Sequence, residues 1–111
     1  MITHVCFEEV RERMEMGREK YGHGVRVDDD TRTWGTRNNS WLNMAREEFL
    51  DAIVYVTADY IRHVRKEDRS FRNSVEDDNE LIMSIIRDFS TVESSKHKML
   101  LWNLKMICEK I

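Results

Sequence analysis

The feature that most constrains the fold is the absence of proline from all 111 residues. Proline breaks helices because it lacks a backbone N–H and its ring clashes with the preceding turn. Apolar residues also recur at intervals of three and four among many Glu, Lys, Arg and Met residues, which is typical of amphipathic helices. We therefore expect an all-α fold, a four-helix bundle with a long loop between its first two helices, in a single domain over residues 1–111.

The spacing and the capping signals predict the position of each helix. The first should run from about Thr3 to Tyr21, and the second from a Ser40 cap to about Lys66. The third should run from about Val75 to Phe89, after Ser74 and Asp77 at capping-box spacing. The fourth should run from about Thr91 to Lys110, with Ser90 and Glu93 at the same spacing. The long irregular segment is Gly22–Asn39, and a loop of this length is usually functional or disordered.

The apolar residues of the first helix form one stripe, whereas those of the second form two faces. The stripe contains Ile2, Cys6, Val10, Met14, Gly17 and Tyr21. One face of the second helix contains Leu42, Ala45, Phe49, Ala52, Ile53, Val56 and Tyr60, and the other contains Leu50, Val54, Ile61 and Val64. A helix that is apolar on nearly all sides should be buried on nearly all sides. We therefore expect self-association into a homodimer or homotetramer.

Charge and composition favour a cytoplasmic protein. The chain has 18 Lys and Arg residues against 21 Asp and Glu residues, so no basic field is available to bind a nucleic-acid polymer. No apolar run is long enough to span a membrane, and the first residues do not resemble a signal segment. Cys6 and Cys108 lie far apart outside any CxxC pattern, which favours buried thiols in a reducing compartment. Of the histidines, His63 is predicted to lie in the core, and His4 and His97 at the surface.

The segment of greatest chemical interest is the acidic start of the second helix. Glu48 and Asp51 are three residues apart, so both carboxylates share one side of the helix with Tyr55. A buried carboxylate needs a basic partner or a cation, and Mg²⁺ uses a few carboxylates together with phosphates and water. The alternative is that Glu47, Glu48 and Asp51 form the solvated edge of an amphipathic helix.

The first helix offers further charged candidates on two sides. Glu9, Arg13 and Lys20 flank its apolar stripe, whereas Glu12 lies on the opposite, solvated side. Glu9 could join a metal site, and Arg13 and Lys20 could bind phosphate oxygens. Simple ion pairing with the acids of the second helix explains the same residues equally well.

These two segments resemble the MazG-like, all-α nucleoside triphosphate pyrophosphohydrolases, in particular short members encoded by phages. The resemblance rests on Glu47-Glu48-Phe-Leu-Asp51-Ala-Ile-Val-Tyr55-Val and on the upstream Arg13-x-x-x-Gly17-x-x-Lys20-Tyr21-Gly22. It covers residues 9–62, about half of the chain. It implies a helical bundle that forms homo-oligomers and cleaves a (d)NTP into a (d)NMP and pyrophosphate with Mg²⁺ or Mn²⁺.

The resemblance also implies roles for individual residues. Glu48 and Asp51 match the metal-binding E-x-x-D, and Glu8-Glu9-x-x-Glu12 matches the first acidic half, which makes Glu9 and Glu12 further metal ligands. The interval from Glu12 to Glu48 is longer than the family usually shows. Glu47 and Glu48 would be the catalytic carboxylates, with Glu47 positioning the attacking water. The residues that would bind substrate are Arg13, Lys20, Tyr21, Trp34 and Tyr55.

Two other functions remain open on the sequence. The imperfect first acidic half is compatible with a catalytically weak or inactive MazG-like module that binds nucleotides or proteins. The second apolar face of the second helix is compatible with a structural bundle that binds a partner protein. In the long loop, Trp34 could stack on a nucleotide base or pack the loop onto its own bundle.

Overall fold

The fold is all-α, as the sequence predicts. The computed structural model describes residues 4–67 and 76–111, and these residues contain no strand. The helices are α1 (His4–Tyr21), α2 (Trp41–Glu67), α3 (Asn79–Arg87) and α4 (Ser95–Lys110). Two short 3₁₀ helices, Thr31–Trp34 and Phe89–Thr91, precede α2 and α4 respectively. None of the described helices has the length and apolar character that a membrane span requires.

The chain divides into two compact units, Met1–Asp30 and Thr31–Ile111. The first unit contains α1, whose apolar stripe was expected to be buried. It is exposed instead: Val10 and Met14 are 48% and 56% accessible, and Cys6 and Tyr21 are also exposed. The physical reason is that this unit has no second helix to cover the stripe. Ile2 and the expected Thr3 cap lie outside the described residues.

The second unit contains the hydrophobic core, which forms where α2 packs against α4 and α3. Leu101 of α4 is completely buried, and Val92 is 1% exposed. The remaining apolar members of the core are Ile53, Tyr60, Ile61, Ile85, Phe89 and Cys108. Every buried core residue thus lies between Ile53 and Cys108, and α2 supplies one wall of the core.

Within a single chain, α2 is buried on one side only, so burial on nearly all sides would need a second chain. Ile61, assigned to the second apolar face, is only 3% exposed and belongs to the core. Leu50 and Val54 of that face are 41% and 40% exposed, and Leu42 of the first face is 65% exposed. Because α3 and α4 cover only one side of α2, its other side faces solvent.

The helix ends test the capping predictions. Ser40 is confirmed as the cap of α2, since its Oγ accepts a hydrogen bond from the Asn43 N–H at 3.1 Å. The predicted start of α4 is wrong, because the 3₁₀ helix occupies Phe89–Thr91 and Ser94 Oγ caps α4 by accepting from the His97 N–H. The third helix is also shorter than predicted and begins at Asn79. Ser74 and Val75, the expected start, lie outside the described residues.

A hydrogen-bonded turn precedes α2 and fixes its start. The Thr31 side chain is completely buried, and its Oγ1 accepts from the Ser40 N–H at 2.7 Å and lies 2.8 Å from Thr36 Oγ1. The Thr31 N–H in turn donates to Asn39 Oδ1 at 3.1 Å. Gly35 closes the turn with a φ of +104°, a conformation that favours glycine. The part of the long loop from Thr31 onward is therefore an ordered lead into α2.

Candidate functional site

The acidic residues predicted to carry chemistry lie on the solvent side of α2. Glu47, Glu48 and Asp51 are all exposed, and Tyr55, one turn beyond Asp51, is 68% exposed. Glu48 and Asp51 are separated by three residues, a rise of about 4.5 Å along the helix, so their carboxylates can reach one common ligand. The structure thus brings Glu48, Asp51 and Tyr55 together on one surface of a helix that the core holds in place.

The carboxylates of Glu48 and Asp51, called the acidic pair below, do not take part in the ion pairs that hold the second unit together. The ion pairs that involve α2 in residues 31–67 and 76–111 join Arg65 to Asp78 and Asp59 to His97. Neither Glu48 nor Asp51 forms an ion pair or a hydrogen bond with a described residue of that unit. Both carboxylates are therefore available to a cation or ligand from solvent.

The donor chemistry of the acidic pair fits a hard divalent cation. Mg²⁺ binds oxygen ligands, keeps several waters and uses one or two carboxylates together with substrate phosphates. Two exposed carboxylates one helical turn apart match that requirement. In residues 4–67 and 76–111, no group of three His, Cys, Asp or Glu side chains converges in the manner of an all-protein metal cage.

The candidates on α1 lie in the first unit. Arg13, Lys20 and Tyr21 line a shallow groove on α1, and Lys20 Nζ lies 5.4 Å from the centre of the Tyr21 ring. Glu9 and Glu12 lie on the same helix and are exposed. The structure therefore groups two cations and one aromatic side chain on α1.

Trp34 ends the first 3₁₀ helix and is 39% exposed. Its backbone is held by the turn built around Thr31 and Thr36, in which the Gly35 N–H donates to the Arg32 carbonyl. Part of the indole surface therefore remains accessible to a stacking partner.

A second polar cluster joins α2 to α4, and the sequence analysis missed it. His97 is 8% exposed, with its Nε2 2.7 Å from Asp59 Oδ2 and its Nδ1 2.6 Å from Ser94 Oγ. A neutral imidazole satisfies both partners when Nε2–H donates to the carboxylate and Nδ1 accepts from the Ser94 hydroxyl. The predictions for His63 and His97 are thus reversed, since His97 is buried and His63 is exposed, whereas the side chain of His4 lies outside what the structure describes. The only signal in the sequence was Ser94 at cap spacing from His97, which does not reveal the partner on α2.

In the described part of the second unit, three aspartates have a pKa below the ordinary value of 3.8. The His97 hydrogen bond lowers the pKa of Asp59, and the Arg65 hydrogen bond lowers the pKa of Asp78. The Ser90 hydroxyl, together with the Ser90 N–H, lowers the pKa of Asp88. Since each pKa is lower in the folded state than in the unfolded state, each group stabilises the fold above its unfolded pKa and loses this contribution as the pH falls through its folded pKa.

This linkage predicts an acid-sensitive stability, which the Asp78→Asn variant isolates. We expect the melting temperature of the wild type to fall as the pH drops below about 4. Asp78→Asn should melt below the wild type at neutral pH, because Arg65 loses its charged partner. The difference between the two proteins should shrink as the pH approaches about 2, measured by circular dichroism melts across this range. A difference that stays constant with pH would contradict the assignment.

Comparison with known proteins found no matching family model, no similar curated protein and no similar solved structure.

Proposed function

We propose that this chain is a Mg²⁺-dependent nucleoside triphosphate pyrophosphohydrolase that cleaves (d)NTP into (d)NMP and pyrophosphate. The observation that carries the proposal is the acidic pair, Glu48 and Asp51, exposed on the solvent side of α2 and unpaired within the described second unit. The resemblance of the surrounding sequence to the MazG-like enzymes supplies the reaction class.

The proposal gives each side chain a chemical role. Glu48 and Asp51 would hold Mg²⁺ or Mn²⁺. The resemblance to the MazG-like enzymes makes Glu9 and Glu12 metal ligands of the proposal as well. The bound cation supplies neutralisation of the triphosphate and polarisation of its α-phosphate. Glu47, next to the acidic pair, would position the attacking water and accept its proton.

Substrate contacts are assigned to the remaining exposed residues. Arg13 and Lys20 would bind phosphate oxygens, for which their charge and their shared groove on α1 are suited. Tyr55 would orient a carboxylate of the acidic pair, since it lies one turn beyond Asp51. Trp34 would offer an aromatic face to the base, a contact worth about 1–3 kcal/mol for stacked bases. Tyr21 is a further substrate-binding residue of the proposal.

The decisive experiment measures product release from a panel of dNTPs and NTPs. With Mg²⁺, we expect pyrophosphate and nucleoside monophosphate in equal amounts, and none when EDTA replaces the metal. Release of inorganic phosphate with a nucleoside diphosphate would show cleavage between the β and γ phosphates and would contradict the proposed reaction. Absence of any product across the panel, with Mg²⁺ and with Mn²⁺, would contradict the enzymatic proposal.

A non-enzymatic module that binds nucleotides or proteins is the second candidate. It is favoured by the first acidic half, Glu8-Glu9-x-x-Glu12, whose interval to Glu48 is longer than the MazG-like enzymes usually show. A nucleotide-dependent rise in melting temperature without any turnover would select this candidate.

The proposal includes assembly into a homodimer or homotetramer in the cytoplasm. Leu50 and Val54 expose apolar surface on α2, and Val10 and Met14 do so on α1. Exposed apolar surface of this kind is costly in water and marks interaction sites when contiguous. Sedimentation equilibrium at micromolar concentration should show a species of at least twice 13.4 kDa. A monomer at that concentration would contradict self-association.

A further inference from the structure

A cavity of about 340 Å³ lies beside the C-terminal end of α2 and the start of α3. Its apolar lining comes from Ala58, Ile61 and Ile82, of which Ile61 is buried in the core. Its polar lining comes from the last turns of α2 and from Asp78. The volume falls within the range of small-molecule sites, which is about 300–1,000 Å³.

Two of the charged side chains that line the cavity neutralise each other. Arg65 donates two hydrogen bonds to the Asp78 carboxylate, from Nη2 at 2.6 Å and from Nη1 at 3.2 Å. This two-pronged geometry is the strong form of an arginine–carboxylate contact. It also fixes the wall of the cavity, because it ties α2 to the residue that precedes α3.

Two further cations, Arg62 and Lys66, line the same cavity. They are four residues apart on α2 and therefore lie on one side of the helix. Neither forms an ion pair with any residue that the structure describes. The charge of Arg62 contributes a little to lowering the pKa of Asp59, but the Asp59 carboxylate is bound to His97. Arg65 and Asp78 neutralise each other, so Arg62 and Lys66 are the cations of the described lining that no ion pair occupies.

The cavity is separate from the acidic pair of the proposed active site. Arg62 lies eleven residues beyond Asp51 on the same helix, a distance of about 16 Å along the helix axis. A ligand of the cavity would therefore contact cations and apolar side chains without touching Glu48 or Asp51.

We propose that this cavity binds a phosphate monoester with a small apolar or aromatic body. Arg62 and Lys66 form no ion pair with a described residue, and together they match the double charge of a phosphate monoester above its second pKa of about 6. The guanidinium of Arg62 can bind two of its oxygens, and Lys66 adds a point charge. The apolar lining, Ala58, Ile61 and Ile82, then covers the body of the ligand. A carboxylate or free phosphate would make less use of this apolar lining.

Calorimetric titration of the purified full chain tests the proposal. The titration is carried out without added metal at about pH 7.5, where the phosphate monoester is doubly charged, and it does not depend on enzymatic turnover. The probes are phenyl phosphate, inorganic phosphate and benzyl alcohol. We expect phenyl phosphate to bind most tightly, inorganic phosphate more weakly and benzyl alcohol not at all. Equal binding of phenyl phosphate and inorganic phosphate would overturn the role of the apolar lining, and absence of binding by phenyl phosphate would overturn the site.

Variants with opposite expected signs make the test sharper. Arg62→Gln and Lys66→Gln should each weaken phenyl phosphate binding by about threefold to tenfold, because each removes one charged contact at a partly open site. Asp78→Asn should strengthen binding at a temperature at which both proteins are folded, because it removes the negative charge that Asp78 contributes to the described lining. The matched control is Arg87→Gln, an exposed arginine of α3 outside the cavity, which should change nothing.

The variants also separate a built site from general attraction to a charged surface. If Arg87→Gln weakens binding as much as Arg62→Gln, or if Asp78→Asn weakens it, the proposal is wrong. Arg62 and Lys66 are exposed, so their substitution should leave the circular dichroism spectrum and the melting curve unchanged. The pyrophosphohydrolase proposal can fail while this site binds, and the site can fail while the enzyme turns over.

Discussion

Exchanging the Glu48 or Asp51 carboxylate for an amide should reduce Mg²⁺-dependent pyrophosphate release by at least about 100-fold. Glu48→Gln and Asp51→Asn each remove one negative charge and one charged oxygen ligand but almost no volume. Both side chains are exposed, so the substitutions do not disturb the core. Initial rates at saturating nucleotide, compared with the wild type, measure the effect.

The substitutions that reduce activity should not reduce the stability of the metal-free protein. In EDTA we expect Glu48→Gln and Asp51→Asn to melt at or above the wild-type temperature, because a repulsion between like charges is relieved. Mg²⁺ should raise the melting temperature of the wild type but not of the variants. Glu109→Gln is the matched control, since this exposed acid of α4 forms only a surface pair with Lys105 and should behave as the wild type.

The contrary result is equally specific. If Glu48 and Asp51 pair with a cation of the protein instead, each amide variant should melt below the wild type in EDTA. A wild type whose melting temperature does not change with Mg²⁺, together with that destabilisation, would end the metal-site proposal.

Truncating Leu101 to alanine should lower the free energy of unfolding by about 2–5 kcal/mol. Leu101 is completely buried where α4 packs against α2, and its removal leaves a cavity that rigid helices fill only in part. Small all-α domains have little stability to spare, so much of the population should unfold at physiological temperature. Urea denaturation followed by circular dichroism gives the change directly.

Met99→Ala is the control for the loss of Leu101. Met99 lies on the same helix but is 58% exposed, so its truncation should cost less than about 0.5 kcal/mol. Equal effects of the two variants would mean that α4 is not docked through Leu101.

The sequence predicts local structure well wherever the signal is local. The C-terminal ends of α1 and α4 and the Ser40 cap of α2 agree with the structure, because glycine, serine and apolar spacing act within one or two turns. The start of α4 was misplaced because Ser90 and Ser94 both precede suitable residues. In the structure, Ser90 donates a hydrogen bond to Asp88, which caps a 3₁₀ helix, so α4 starts after Ser94 instead.

Burial was predicted less well, because it depends on which surfaces other elements cover. Periodicity marks an apolar stripe on α1 and a second face on α2, yet it cannot indicate whether a partner helix lies against them. Val10 and Leu50 are therefore exposed although their spacing is that of core residues. His97 shows the converse case, since a single polar residue became buried through a partner 38 positions away.

For the candidate site, the sequence identified the acidic pair but not its surroundings. The i, i+3 spacing alone places Glu48 and Asp51 on one side of α2. The cavity that contains Arg62, Arg65 and Asp78 depends on the approach of α3 to α2, which spacing within one helix does not encode. The roles of the α1 residues remain predictions.

The different burial of the two cysteines gives the protein a built-in chemical label. Cys6 is exposed on α1, whereas the Cys108 side chain is buried in the core and its carbonyl accepts a hydrogen bond from Arg46 at 3.3 Å. A maleimide dye therefore reacts selectively with Cys6 while the second unit stays folded. Modification of Cys108 requires the C-terminal end of α4 to leave the core, so the time course of its labelling reports that opening event without any engineered thiol.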